Sequence, residues 1–238
     1  AAAVAVGALV MRATTPAPPS CAIDETALGD AWNAKHRAEV TRAMTAAAGD
    51  DIAAKVIAGL DDYAASWVTN RQDACAATRV RGEQSEAVLD RRVACLDRGR
   101  RELGELVRVL GAGDAKVAGA AREAIGRLRD PATCTTITDR LPGDSPMRGV
   151  IEQGRAVLDR ATALEYLGKL DEAGALIDPL VTRATALGLP QLLGEALMIR
   201  ARIDIDRAHH EHGYSMRAIA AALGIDVSTV SRRLRRAG

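Results

Sequence analysis

Apolar residues recur along most of this chain at helical spacing. Between Glu25 and Ala48, Leu28, Trp32, Val40 and Met44 fall on one stripe at multiples of four. Gly49-Asp50-Asp51 breaks that helix and offers a cap for the next. In the second helix Ile52, Val56, Leu60, Tyr63, Trp67 and Cys75 mark one face. A third helix is expected from about Glu83 to Leu110, with Val88, Leu89, Val93, Leu96, Leu103, Leu106 and Leu110 inward. Asp114 can cap a fourth helix reaching Arg129, and Asp130-Pro131 stops it. No stretch alternates apolar and polar residues as a strand would. The expected fold class is all-α, opening with an antiparallel helical bundle.

Residues 140–149, "RLPGDSPMRG", break the pattern, and a second unit begins there. Its first helix is expected from about Pro146 to Leu167. The stretch 166–188, "YLGKLDEAGALIDPLVTRATALG", then ends one helix near Gly168 and starts another at Asp171-Glu172. Leu164, Leu170, Ala173, Ile177 and Leu180 supply its contacts, and a third helix follows Pro190. This resembles the helical hairpin of a tetratricopeptide repeat, with its turn expected at Gly168-Lys169-Leu170 and Ala173 at the close approach. Such units bind peptides or proteins on a concave face, so a peptide or protein ligand is the expected partner. Little more than one repeat is present, against the roughly three needed for independent stability. The hairpin must therefore lean on the bundle or on a neighbour.

Composition narrows the chemistry. Aromatic residues make up 2% of the chain and Phe is absent, so Ala, Leu, Val and Ile must build the core. The net charge of +1 gives no global field toward nucleic acid or a membrane surface. Four cysteines, Cys21, Cys75, Cys95 and Cys134, include no CxxC pair, which argues against a zinc site. They are compatible with two disulfides or with four thiols. Cys75 precedes the turn between the second and third helices, and Cys95 follows it. On an antiparallel pair turning near residues 82–87 the two can face each other. A Cys75–Cys95 disulfide is thus the expected pairing in an oxidising compartment.

The amino-terminal residues carry a different signal. Residues 1–11 are apolar but would rise only about 16 Å as a helix, against a hydrocarbon core of roughly 30 Å. They read as the last turns of a truncated membrane anchor, with a signal-peptide remnant or an Ala-rich tail as alternatives. "ATTPAPPS" at 13–20 is a Pro-rich linker. The expected domain plan is anchor tail and linker at 1–20, bundle at 21–141, tetratricopeptide-like unit at 146–208 and a last unit at 213–238.

Residues 64–98 read "AASWVTNRQDACAATRVRGEQSEAVLDRRVACLDR". Trp67, Arg71, Cys75, Thr78, "RGEQS" at 81–85, "LDRR" at 89–92 and "CLDR" at 95–98 resemble a segment of large bacterial serine/threonine protein kinases. That segment lies beyond their membrane helix and precedes tetratricopeptide repeats. The resemblance covers about residues 1–203. It implies a membrane-anchored parent whose kinase domain is cytoplasmic and whose helical module is extracytoplasmic. Here there is no Gly-rich phosphate loop, no HRD-type loop and no DFG. "HRAEV" at 36–40 lacks the catalytic Asp and sits within a helical pattern. No catalytic residue, cofactor or metal ligand is assigned. "RGEQS" reads as turn chemistry, with a ligand contact as the alternative.

The last unit carries a second resemblance. "MRAIAAALGIDVSTVSRRL" at 216–234 is similar to the helix-turn-helix of bacterial repressors and transposase-associated DNA-binding ends. Ile219, Leu223, Ile225 and Val230 would form its core, with Ala220 where the helices approach. Gly224 can take the left-handed conformation, and Asp226 or Ser228 can cap the second helix. The resemblance implies that Val227, Ser228 and Arg232 face bases, while Thr229, Ser231, Arg233, Arg235 and Arg236 reach phosphates. Residues 213–238 hold five Arg and one Asp, a local charge of +4. The alternative is an arginine-rich end cap on a helical stack. "HHEH" at 209–212 offers metal-binding groups, but no ligand from elsewhere can be named with them, so no site is assigned.

The two resemblances imply opposite sides of a membrane, and a junction is expected near 203–212. The leading expectation is a non-catalytic sensor or interaction region of a kinase-like signalling protein, extracytoplasmic and binding peptide or protein. The alternative is a cytoplasmic DNA-binding regulator, which requires a dimer because one helix-turn-helix binds weakly.

Overall fold

A computed structural model describes residues 20–136 and 147–235. The expected anchor tail and nearly all of the linker, most of the break at 140–149, and Arg236 lie outside these residues. Among the described residues all regular secondary structure is helical and there is no strand. The α-helices are α1 (Ala34–Ala48), α2 (Asp50–Arg79), α3 (Glu86–Gly111), α4 (Ala115–Gly126), α5 (Arg148–Tyr166), α6 (Leu170–Ala186), α7 (Pro190–Asp206), α8 (Met216–Leu223) and α9 (Val227–Arg235). Short 3-10 segments occupy Glu25–Ala31 and Pro131–Thr136, and a π turn occupies Arg207–Glu211.

The helix expected over residues 25–48 is two pieces. Gly29 takes φ 55°, and Asn33 caps α1 by accepting from the His36 amide at 3.0 Å. Downstream, Gly49 at φ 85° separates α1 from α2. The third helix starts three residues later than expected because residues 81–85 are committed to a turn. Gly82 has φ 66° there. Gln84 donates to the Ala74 carbonyl at 2.9 Å and to Thr78 Oγ1 at 2.8 Å. Arg92, buried on α3, reaches Gln84 at 3.2 Å and Asp73 at 2.7 Å, while Arg81 holds Asp73 at 2.8 Å and Glu83 at 2.8 Å. These bonds hold Asp73 below the ordinary carboxylate range, Arg92 contributing most. "RGEQS" thus has a structural occupation at the α2–α3 turn.

One continuous apolar cluster runs from Leu28 to Ile203. Leu60, Leu96, Leu103 and Leu110 of the bundle pack into the same cluster as Leu158, Leu167, Ile177 and Ile203. Each such side chain contributes on the order of 2 kcal/mol by leaving water. The two tryptophans also carry polar ends that must be satisfied: Trp32 donates to Asp61 at 2.9 Å and Trp67 to the Leu96 carbonyl at 2.7 Å. Tyr63 donates to the Arg129 carbonyl at 3.0 Å and passes directly over Gly99. A Cβ at that position would lie 2.7 Å from the hydroxyl, so only glycine lets α2 and α3 meet there undisturbed.

All four cysteines are paired, but not as expected. The bonds are Cys21–Cys75 and Cys95–Cys134. Along the hairpin Trp67 stands opposite Leu96, and Asp73 opposite Arg92. Cys95 therefore lies roughly six residues, or about 9 Å, from the level of Cys75. Such a gap exceeds disulfide reach. Each cysteine of the hairpin instead ties down a segment outside it. Cys75 holds the amino-terminal approach, and Cys95 holds the 3-10 turn after α4.

The second unit is a helical hairpin. Gly168 at φ 71° turns the chain between α5 and α6, and Pro190 sits in the first turn of α7. Ala173 is fully buried. A charged seam joins this unit to the bundle: Arg98 of α3 meets Glu195 of α7 at 3.1 Å, Glu102 at 3.4 Å and Asp159 of α5 at 3.9 Å. Burial pushes the Asp159 carboxyl up to about 6, with Glu102 adding to the rise and Arg98 and Arg101 opposing it. Among the described residues no helix is long and apolar enough to cross a membrane.

Candidate nucleic-acid interface

The carboxy-terminal unit is built from three helical pieces. Ile205 at the end of α7 packs with Ile219 and Ala220 of α8 and with Val230 and Leu234 of α9, and Ala208 closes the side. This small core is separate from the main one. No break occurs at 203: α7 runs through it to Asp206. Arg207, in the π turn, reaches back to α6, donating to the Leu170 carbonyl at 3.1 Å and pairing with Asp171 at 2.6 Å. Across residues 203–212 the chain is thus continuous helical structure, clamped to the body by Arg207. Gly213 at φ 66° then reverses the chain into α8.

Local chemistry explains α8 and α9. Ser215 caps α8, its hydroxyl accepting from the Ala218 amide at 3.2 Å. Gly224 ends α8 in the left-handed conformation, φ 65°. Asp226 accepts from the Ser228 amide at 2.7 Å ahead of α9. The Ser228 side chain and amide together hold the Asp226 carboxyl below its usual range.

Val227, Ser228, Thr229 and Arg232 are exposed, and Ser231 is half-buried. Val230 and Leu234 point inward, so α9 has one buried and one open side. Arg232 lies along that open side, with Nε 3.4 Å from the Ser228 carbonyl and an Nη 3.5 Å from the Thr229 hydroxyl. Arg233 and Arg235 belong to α9, but their side chains lie outside the described residues, as does Arg236. Arg217, exposed on α8, is a further cation that the motif reading did not single out. Its sign was the local excess of arginine.

Two core assignments need correction. Leu223 is 45% exposed and Ile225 37% exposed. Their places are taken by Ile205 of α7 and by Leu234, because the unit has a third helix that a two-helix pattern does not anticipate. At the histidine run, His209 Nδ1 lies 3.0 Å from the Tyr214 carbonyl oxygen. Among the described residues no three His, Cys, Asp or Glu side chains converge as a metal site would require.

A family model described as a helix-turn-helix domain matches residues 197–237. Its start at Leu197, inside α7, agrees with a unit of three helices rather than two. The match supports the helix-turn-helix expectation and gives no support to the kinase-associated segment. No curated protein and no solved structure matches the chain.

Proposed function

We propose that this chain is a non-catalytic DNA-binding region that reads duplex DNA with α9, and that α7 couples the reader rigidly to a helical body. The observation carrying this reading is the two-sidedness of α9. Val230 and Leu234 anchor it, while Val227, Ser228, Thr229 and Arg232 stand free within the stretch matched by the helix-turn-helix model. A helix held this way can enter a major groove about 12 Å wide with its polar side forward. Arg217 and the arginines at 233 and 235 supply charge for the phosphates. A dimer on two half-sites would give usable affinity.

Anisotropy titration of a labelled duplex tests this. With roughly four phosphates neutralised, affinity should fall about a hundredfold between 50 and 200 mM salt. Absence of duplex binding at the lower salt would reject the reading.

The four paired cysteines favour a second reading. Structural disulfides persist in oxidising compartments. In that setting the chain would be the extracytoplasmic part of a membrane-anchored, kinase-like parent, taking a peptide or protein on α5–α7. Thiol alkylation in intact cells separates the two: free cysteines support the DNA-binding region, and blocked ones the extracytoplasmic module.

A further inference from the structure

A cleft of about 750 Å³ separates α9 from the body, and its far wall is formed by α4, α5 and α7. Its volume lies in the range of small-molecule sites, about 300–1,000 Å³. Three guanidiniums line it, Arg127, Arg202 and Arg232, against one carboxylate, Glu123. Glu123 is already engaged by Arg127. Arg202 pairs with the buried Glu165 at 3.2 Å, yet its Nε is buried and meets no acceptor. Arg232 makes no ion pair among the described residues. Tyr166 sets the spacing of the first two: its ring lies 5.0 Å from the Arg127 guanidinium and 5.6 Å from that of Arg202.

The same cleft has an apolar side. Met198 is 65% exposed and Ile225 37% exposed, and both face into it. Guanidiniums in excess of the one carboxylate on the cleft wall, beside uncovered apolar groups, suit a ligand with both characters. A bare phosphate would satisfy the arginines and leave Met198 and Ile225 wet. A neutral hydrocarbon would desolvate the guanidiniums without pairing them.

We infer that this cleft is an effector site for a small amphipathic carboxylate, its head on Arg127, Arg202 and Arg232 and its aromatic or acyl body on Met198 and Ile225. The site shares Arg232 and Thr229 with the exposed side of α9. Ligand and DNA then compete for the same side chains. Only this competition rests on the proposed DNA reading; the site itself does not.

Calorimetric titration of the whole chain with naphthoate, neutral naphthamide and inorganic phosphate tests the site without DNA. Naphthoate should saturate at one per chain. Naphthamide should bind at least about tenfold more weakly, the loss of one charged hydrogen-bond set. Inorganic phosphate should not saturate. Arg232→Gln, a surface change, should weaken naphthoate about tenfold, and Arg127→Gln should act in the same direction. Equal binding of acid and amide, saturation by phosphate, or unchanged affinity in both variants would overturn the site. A duplex titration with naphthoate present is the second arm, where the apparent Kd for DNA should rise. DNA binding that is unaffected with the cleft filled would overturn the competition. A chain that takes naphthoate but no duplex would support the site and reject the DNA reading.

Discussion

Reducing both disulfides should lower the denaturation midpoint of this chain more than any single side-chain change. Cys95 and Cys134 are 39 residues apart and Cys21 and Cys75 are 54 apart. Closing loops of that length removes unfolded-chain entropy worth about 4 kcal/mol each in the loop-closure model. Native strain and residual structure reduce such figures, so a combined loss of about 4–8 kcal/mol is expected. The Cys95–Cys134 bond should matter more than its loop length suggests. Both cysteines are buried, and the turn they anchor lies beside Arg129, whose carbonyl accepts from Tyr63. Urea unfolding of oxidised protein and of a four-serine variant gives the difference. Peptide mapping of the purified, oxidised protein without reductant should recover Cys21 with Cys75 and Cys95 with Cys134. Equal midpoints, or a recovered Cys75–Cys95 peptide, would contradict the arrangement.

Ala173→Arg should cost about 2–4 kcal/mol. Ala173 is fully buried on the inner side of α6, in the same apolar cluster as Leu164 of α5 and Leu167 just after it. A guanidinium there must either lose its hydration or push the hairpin apart. The damage should spread, because α7 packs on α6 and carries Ile205 into the helix-turn-helix core. Ala173→Gly is the control, since it adds no volume and should cost only about 1 kcal/mol. An unchanged melting temperature for Ala173→Arg would mean that α5 and α6 do not pack on this residue.

The elements that chain-local chemistry controls are legible in the sequence alone. Asp114 caps α4, accepting from the Val117 amide at 3.0 Å. Gly168 and Gly224 both adopt the positive φ that their turns demand. The leucine stripe of α3 points inward as its spacing implies. Long-range partners were not legible. Spacing around one turn suggested Cys75 with Cys95, yet their true partners come from segments whose paths no periodicity encodes. Buried charge was equally hidden. Arg92, Asp159 and Glu165 sit in polar-looking positions and would pass for a solvated face, but each is buried at a turn or seam. The third helix of the helix-turn-helix unit is hidden for a different reason. In α7 Ile199 and Ile203 serve the main core while Ile205 serves the small one, so a single helix answers to two units. The sequence pattern of α8 and α9 was correct as far as it went. It left Leu223 and Ile225 inside a core that α7 in fact completes.

The central claim is that α9 reads base sequence, and selection from a random duplex pool measures this most directly. The intact chain and its Arg232→Ala variant are each carried through the selection at low salt, and the recovered sequences are compared. Arg232 is exposed next to Ser228 and Thr229, in a position from which an arginine can address a guanine edge. Losing such a contact costs about 1–3 kcal/mol of discrimination at one base position. The account predicts a defined motif for the intact chain and relaxed preference at one position for the variant, with phosphate-driven affinity largely kept. Identical motifs from both proteins, or no enrichment from the intact chain, would contradict it.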